Sequence, residues 1–120
     1  MNKQTRVIYL AGPFRAKTPW EIELNVRRAE AASLEIWRMG AACICPHTMT
    51  RHFQDAAPDE VWIKGDIELL HRCDAVFIVA TQNQDGRVSS GTSEEIFEAH
   101  QCGIPVFHTL TGLAAWLKQQ

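Results

Sequence analysis

Asp74-Ala75-Val76-Phe77-Ile78-Val79-Ala80 (DAVFIVA, residues 74–80) is apolar from its second residue to its last, with no polar alternation. A strand with one wet face alternates polar and apolar side chains. An unbroken apolar run of this length reads instead as a central strand of a parallel sheet, covered on both faces. Upstream of it, Asp59 to Arg72 reads as a helix capped by Asp59 or by the residues just before it. Downstream come a polar loop over Thr81 to Ser90 containing Gly86, a helix over Thr92 to Gln101 closed by Gly103, a strand over Ile104 to His108, and a short helix over Gly112 to Lys118.

The N-terminal half repeats the pattern. Thr5 to Ala11 (TRVIYLA) is β-branched and apolar and ends at Gly12-Pro13, which predicts a buried strand. In Thr18-Pro19-Trp20-Glu21, Thr18 can cap a helix, Pro19 suits its first position, and Glu21 stands where a capping box wants it. Ile22, Val26, Ala29, Leu34 and Trp37 mark the apolar face of a long helix that stops at Gly40. Ala41 to Cys45 is a second strand ended by Pro46, and His47 to Pro58 is a polar connection, long enough to suggest a functional loop.

Strands alternating with helices imply right-handed crossovers and a parallel sheet. The prediction is an α/β fold of three layers, Rossmann- or flavodoxin-like, with four parallel strands (or five) in the order 2-1-3-4 and helices on both faces. It occupies residues 1–120 as a single domain. Ligands of such sheets bind outside the carboxyl ends of the strands at the switch point. That rule selects the loops Gly12–Lys17, His47–Pro58 and Thr81–Ser90.

A formal net charge of −2 argues against a nucleic-acid polymer or an anionic membrane as partner. No apolar run reaches the roughly 18 residues of a membrane helix. The start MNKQTRV lacks the apolar core of a signal peptide, so a cytoplasmic location is expected. Cys43, Cys45, Cys73 and Cys102 form no CxxC and read as buried free thiols.

Two acids stand among apolar neighbours. Glu95 aligns with Ala99 and Cys102 on an apolar stripe, whereas Glu94, Glu98 and Gln101 share the polar face. Its structural alternative is a capping box, with Thr92 as cap and Glu95 folding back. Asp66 falls on a stripe with Trp62, Leu69 and Cys73; its alternative is an exposed edge paired with Lys64 or Arg72. Two inward carboxylates at one crevice suit glycosidic chemistry, one as nucleophile and one handling the proton of the leaving base. The loop Gly12-Pro13-Phe14-Arg15 enters a helix N-terminus, where free N–H groups and Arg15 favour an anion, though it is neither a P-loop nor GxGxxG. The pairs His71/Cys73 and His100/Cys102 are two residues apart on helices, point in different directions and do not predict a metal site.

Three stretches, IYLAGPFR (8–15), DIELLHRCDAVFIVA (66–80) and SSGTSEEIFEAHQCGIPV (89–106), together resemble the nucleoside 2-deoxyribosyltransferase-like superfamily. Within it, GPFR…TPWE…CPHT…TR…SxGxxxE is similar to a subgroup of small bacterial and phage proteins. The resemblance implies that Glu95 of the SGTxxE helix is the nucleophile and that Asp66 is the assisting acid. Transferases of the family place an Asp six residues before the nucleophile, where this chain has Ser89. The related 2'-deoxynucleoside 5'-phosphate N-hydrolases have a Ser there that helps bind phosphate, and an Arg in the first loop similar to Arg15. The implied activity is hydrolysis or transfer at the N-glycosidic bond of a nucleoside or, preferably, a nucleoside 5'-monophosphate. Gly12, Pro13, Phe14, Arg15, Ser89, Ser90 and Gly91 would hold the substrate, and His47 and Arg51 would contact the base. No metal or organic cofactor is required, and a homodimer or larger homo-oligomer is expected. The alternatives are a non-catalytic nucleotide-binding or sensor module on the same fold, and a subunit whose surface serves assembly through Trp20, Phe53 and Trp62.

Overall fold

A computed structural model describes residues 4–119, so Met1, Asn2, Lys3 and Gln120, which the predicted leaderless N-terminus and the 1–120 domain include, lie outside the described residues. The chain runs β1 (Val7–Ala11), α1 (Pro19–Arg38), β2 (Ala42–Ile44), α2 (Pro46–Met49), α3 (Asp59–His71), β3 (Ala75–Ile78), α4 (Ser90–Gln101), β4 (Val106–Phe107) and α5 (Leu110–Gln119). The sheet has four strands in the order β2-β1-β3-β4. All three pairings are parallel. The predicted topology is the observed one, and the described residues contain no fifth strand.

DAVFIVA is the centre of this sheet. Ala75, Val76, Phe77 and Ile78 are all buried because the pleat sends them alternately to two cores. Ile8, Leu10, Ala75 and Phe77 pack against Ala29, Ala32 and Ile36 of α1 and Leu113 of α5. Tyr9, Ala11, Val76 and Ile78 pack on the other face against Leu70 of α3 and Ala99 of α4. The helices therefore cover both faces in pairs, α1 with α5 and α3 with α4. The strand ladder continues past the ends of β3, since Asp74 N–H donates to Val7 O at 2.8 Å and Val79 N–H to Ala11 O at 2.9 Å.

Several boundaries differ from expectation, each for a local reason. Helix α1 begins as predicted: Thr18 Oγ1 accepts from Glu21 N–H at 3.1 Å, and Gly40 ends it at φ +89°. Its inner face, however, uses Ala32 and Ile36, leaving Leu34 and Trp37 about half exposed. Around the helix axis Leu34 lies nearly opposite Ile36 and Trp37 about 100° from it, so neither turns squarely onto the sheet. The predicted loop 47–58 opens with the single turn α2, which has Pro46 at its first position. Helix α3 has Pro58 as its N-cap and no side-chain cap, so Asp59 is its first residue rather than its cap. Helix α4 starts two residues early because its cap is Ser89. The loop after β3 is pinned by a Gln82–Val88 bridge around Gly86, which has φ +84°. Of the four free cysteines, Cys45 and Cys73 are buried, but Cys43 is half-buried and Cys102, the C-cap of α4, is exposed. Among the described residues no helix is long and apolar enough to cross a membrane.

Candidate active site

The carboxyl ends of β1 and β3, with the three loops that the switch-point rule selects, enclose a cleft of about 630 Å³. Its floor begins at Gly12. A Cβ there would sit 2.4 Å from Val79 Cγ1, so glycine lets the chain leaving β1 lie directly against the end of β3. Pro13 is fully buried behind this floor and does not line the cleft. The carbonyl of Pro13 accepts from His47 Nε2–H at 2.9 Å, and the ring of Phe14 meets His47 edge-on at 5.8 Å. Burial lowers the His47 pKa, which keeps the ring neutral with its proton on Nε2. His47 lines the cleft while anchoring the first loop.

Glu95 reaches the cleft because of how α4 begins. Ser89 Oγ accepts from Thr92 N–H at 3.2 Å and from Thr92 Oγ1 at 2.9 Å. Thr92 is thus a buried residue inside the helix, and the capping box with Thr92 as cap does not form. Glu95 stands six positions beyond the true cap, too far to fold back onto it. It lies beside the buried Thr92 and Ala99 and the partly buried Ile96, and meets Tyr9, a fully buried residue of β1. The Tyr9 hydroxyl donates to Glu95 Oε2. Burial raises the Glu95 carboxyl to about 7, the Tyr9 bond opposes the rise, and the Asp66 and Glu94 carboxylates add to it. Burial and the carboxylates of Glu95 and Asp66 hold the proton on Tyr9.

Asp66 enters from α3. Its structural alternative, an exposed edge paired with Lys64 or Arg72, is not what forms: Asp66 is half-buried in the cleft wall, and Arg72 Nε donates to Glu68 Oε2 at 2.9 Å. Burial alone raises Asp66 to about 6. The cleft therefore gathers two carboxyl groups that titrate near neutrality and one phenol that does not.

The rim carries charge. Arg15 pairs with Asp59 at 2.6 Å, and Asp85 faces both Lys17 at 3.8 Å and Arg87 at 3.5 Å. Ser89, Ser90 and Gly91 present the N-terminus of α4 to the same space. Ser89 uses its lone pairs for Thr92, and its own O–H remains available to a ligand. Arg51 is not brought into the cleft; it ion-pairs with Glu23.

Three contributors escape the sequence reading. Tyr9 reads as one more apolar strand residue; the signal is a phenol in a buried strand, which needs a partner. Asn25 is a polar residue on the inner stripe of α1, in step with Ile22, Ala29 and Ala32. It is buried and donates to Phe14 O at 3.1 Å and Asn83 Oδ1 at 2.8 Å, tying the first loop to the loop after β3. Trp62, expected on an assembly surface, is half-buried against Phe53 at 5.6 Å and lines the cleft.

A family model described as Domain of unknown function (DUF7768) matches residues 6–109. No curated protein matches the chain. Among solved structures, a 2-deoxyribosyltransferase from the psychrotolerant bacterium Bacillus psychrosaccharolyticus superimposes with a TM-score of 0.64 at 21% identity, over 83% of this chain and 69% of that one. At that identity the likeness establishes a shared fold.

Proposed function

The chain belongs to the DUF7768 family, and we propose that it is a single nucleoside 2-deoxyribosyltransferase-like domain that cleaves the N-glycosidic bond of a nucleoside 5'-monophosphate. The observation that carries this reading is Glu95: its carboxylate is free of any capping role, bonded to the Tyr9 hydroxyl, and shares a cleft with Asp66. The structural likeness to a 2-deoxyribosyltransferase supports the same chemistry.

In the proposed reaction the ionised Glu95 attacks C1' of the sugar. The C1'–N bond breaks, its electron pair leaves with the base, and Asp66 supplies the proton that the base needs. In the second step Asp66 takes a proton from water, whose oxygen displaces Glu95 from C1' and frees the sugar phosphate. A second base in place of water makes the reaction a transfer. An acid–base group serves best when its pKa lies near the working pH, and Asp66 at about 6 meets that condition. The 5'-phosphate would sit at the start of α4, on the Ser89 O–H and the N–H groups of Ser90 and Gly91, within reach of Arg15 once it swings from Asp59. Gly12, Phe14, His47 and Trp62 would shape the wall for sugar and base. Arg51, turned toward Glu23, plays no part. The chain would act in the cytoplasm as a homo-oligomer, a second copy covering the exposed Phe53, Val61 and Ile63 near the cleft.

The test is chromatographic. Wild type and Glu95→Ala are incubated with a panel of nucleosides and their 5'-monophosphates, with and without a second free base. Release from monophosphates by wild type alone supports the proposal, and the effect of added base separates transferase from hydrolase. Nucleotide binding without release, unaffected by Glu95→Ala, would establish the non-catalytic binding module instead.

A further inference from the structure

We propose that His71, Glu98 and Cys102 form a binding site for a divalent transition metal, zinc foremost, between the ends of α3 and α4 and outside the cleft. His71 is the last residue of α3. Glu98 in the last turn of α4 and Cys102, its C-cap, lie four apart, and both turn toward the end of α3 where Glu98 meets His71. His71 Nε2 and Glu98 Oε1 are 2.8 Å apart, and with Cys102 Sγ the three ligand atoms lie within 4.8 Å of one another. Zinc bonds of about 2.0–2.3 Å in a tetrahedron put donors roughly 3.3–3.8 Å apart. Small side-chain rotations therefore convert the present spacing into a ligand set.

The chemistry of the donors selects the ion. One imidazole, one carboxylate and one thiolate form a mixed N, O, S set suited to zinc and poorly suited to calcium or magnesium. Neutral imidazole and two anionic groups match a divalent charge, with the thiol proton released on binding. The site lies in the last turns of two helices, where the helix dipoles favour a cation. His71 and Glu98 are about one-third exposed (37% and 32%) and Cys102 is open, which leaves an entry path and room for a water as fourth ligand. A solvent-exposed His–Glu pair adds little stability by itself, so the pair alone gives no reason for the convergence of Cys102. The neighbours that the sequence pairs with these residues are turned elsewhere: Cys73 donates to Leu69 O at 3.3 Å in the core, and His100 is not in the cluster.

The experiment uses the full chain stripped of metal, titrated with cobalt(II) as a spectroscopic probe and then with zinc. Wild type should bind one cobalt with a thiolate-to-metal charge-transfer band that zinc abolishes, and zinc in excess should raise Tm by about 3 °C or more. His71→Ala and Cys102→Ser should each lose the band and weaken zinc binding by about tenfold or more, with His100→Ala behaving as wild type. All three positions are exposed, and circular dichroism of each variant checks that it remains folded. Absence of the band in wild type, or equal zinc affinity in folded His71→Ala and Cys102→Ser, would overturn the site.

Discussion

The hydroxyl of Tyr9 on β1 donates a hydrogen bond to the carboxylate of Glu95 on α4, across 86 positions of sequence. Tyr9 faces this core one pleat before Ala11, where β1 ends at the cleft, and its ring is wholly covered. The bond opposes part of the pKa rise that burial imposes on Glu95. Tyr9 thus sets how much of the acid is ionised near neutral pH.

Tyr9→Phe keeps the ring and removes only the donor. It should cost about 1 kcal/mol of stability, read from urea unfolding. Glu95 should then titrate still higher, so base release should fall by about fivefold to tenfold at pH 7, and the pH optimum should move upward while the alkaline limb set by Asp66 remains. An unshifted pH–rate profile would show that the phenol does not tune Glu95.

Glu95→Gln tests the same burial through stability. The folded-state pKa of Glu95, about 7, lies above its ordinary value near 4.5, so the native state holds the proton more tightly than the unfolded chain does. The associated stability is complete below about pH 4.5 and is lost as pH rises through 7. The neutral amide escapes that loss and can still accept from Tyr9. The variant should therefore unfold at higher temperature than wild type at pH 8, by the equivalent of about 1–3 kcal/mol, with the gap closing at pH 5.

In the proposed reaction Glu95 must be ionised and Asp66 protonated, and the two carboxyls titrate between about 6 and about 7. Wild-type kcat/KM should trace a bell centred near pH 6.5. Asp66→Asn should lower it by about 10²–10⁴ and remove the alkaline limb, leaving a rate that rises with pH and levels off. An intact alkaline limb in that variant would assign the proton transfer to another group.

Ser89→Asp separates the phosphate from the sugar. Aspartate caps a helix as well as serine does, so Tm should change little. It brings a negative charge and loses the free O–H that the phosphate would meet. KM for a monophosphate should rise by about tenfold or more, with the unphosphorylated nucleoside unaffected. Equal effects on both substrates would remove Ser89 from phosphate recognition.

Gly12→Ala places a methyl 2.4 Å from Val79 Cγ1 and should destabilise the fold by about 1–3 kcal/mol. Val79→Ala should recover part of that loss in the double variant, a coupling of about 1 kcal/mol measurable by denaturant unfolding. Additive effects would mean that the two residues do not collide.

The sequence alone determined the strands, the parallel α/β class and the loops that frame the cleft, because these follow from period, element alternation and punctuation; the expected order 2-1-3-4 is the one the strand pairings show. DAVFIVA is apolar without alternation, and each helix is bounded by a glycine, a proline or a capping residue. The same period marked Glu95 and Asp66 as acids on apolar stripes. It left Glu95 divided between capping and the cleft, since spacing from Thr92 allows both. Only tertiary structure decided that point, by making Ser89 the cap and bringing Tyr9 from another element to the freed carboxylate. It likewise turned Arg51 toward Glu23, set Asn25 between two loops, and brought His71 to Glu98 and Cys102. Local pattern fixes which face of an element is buried. Which side chains from distant elements meet there depends on how helices of particular length and tilt pack across the sheet, and no spacing within one segment encodes that.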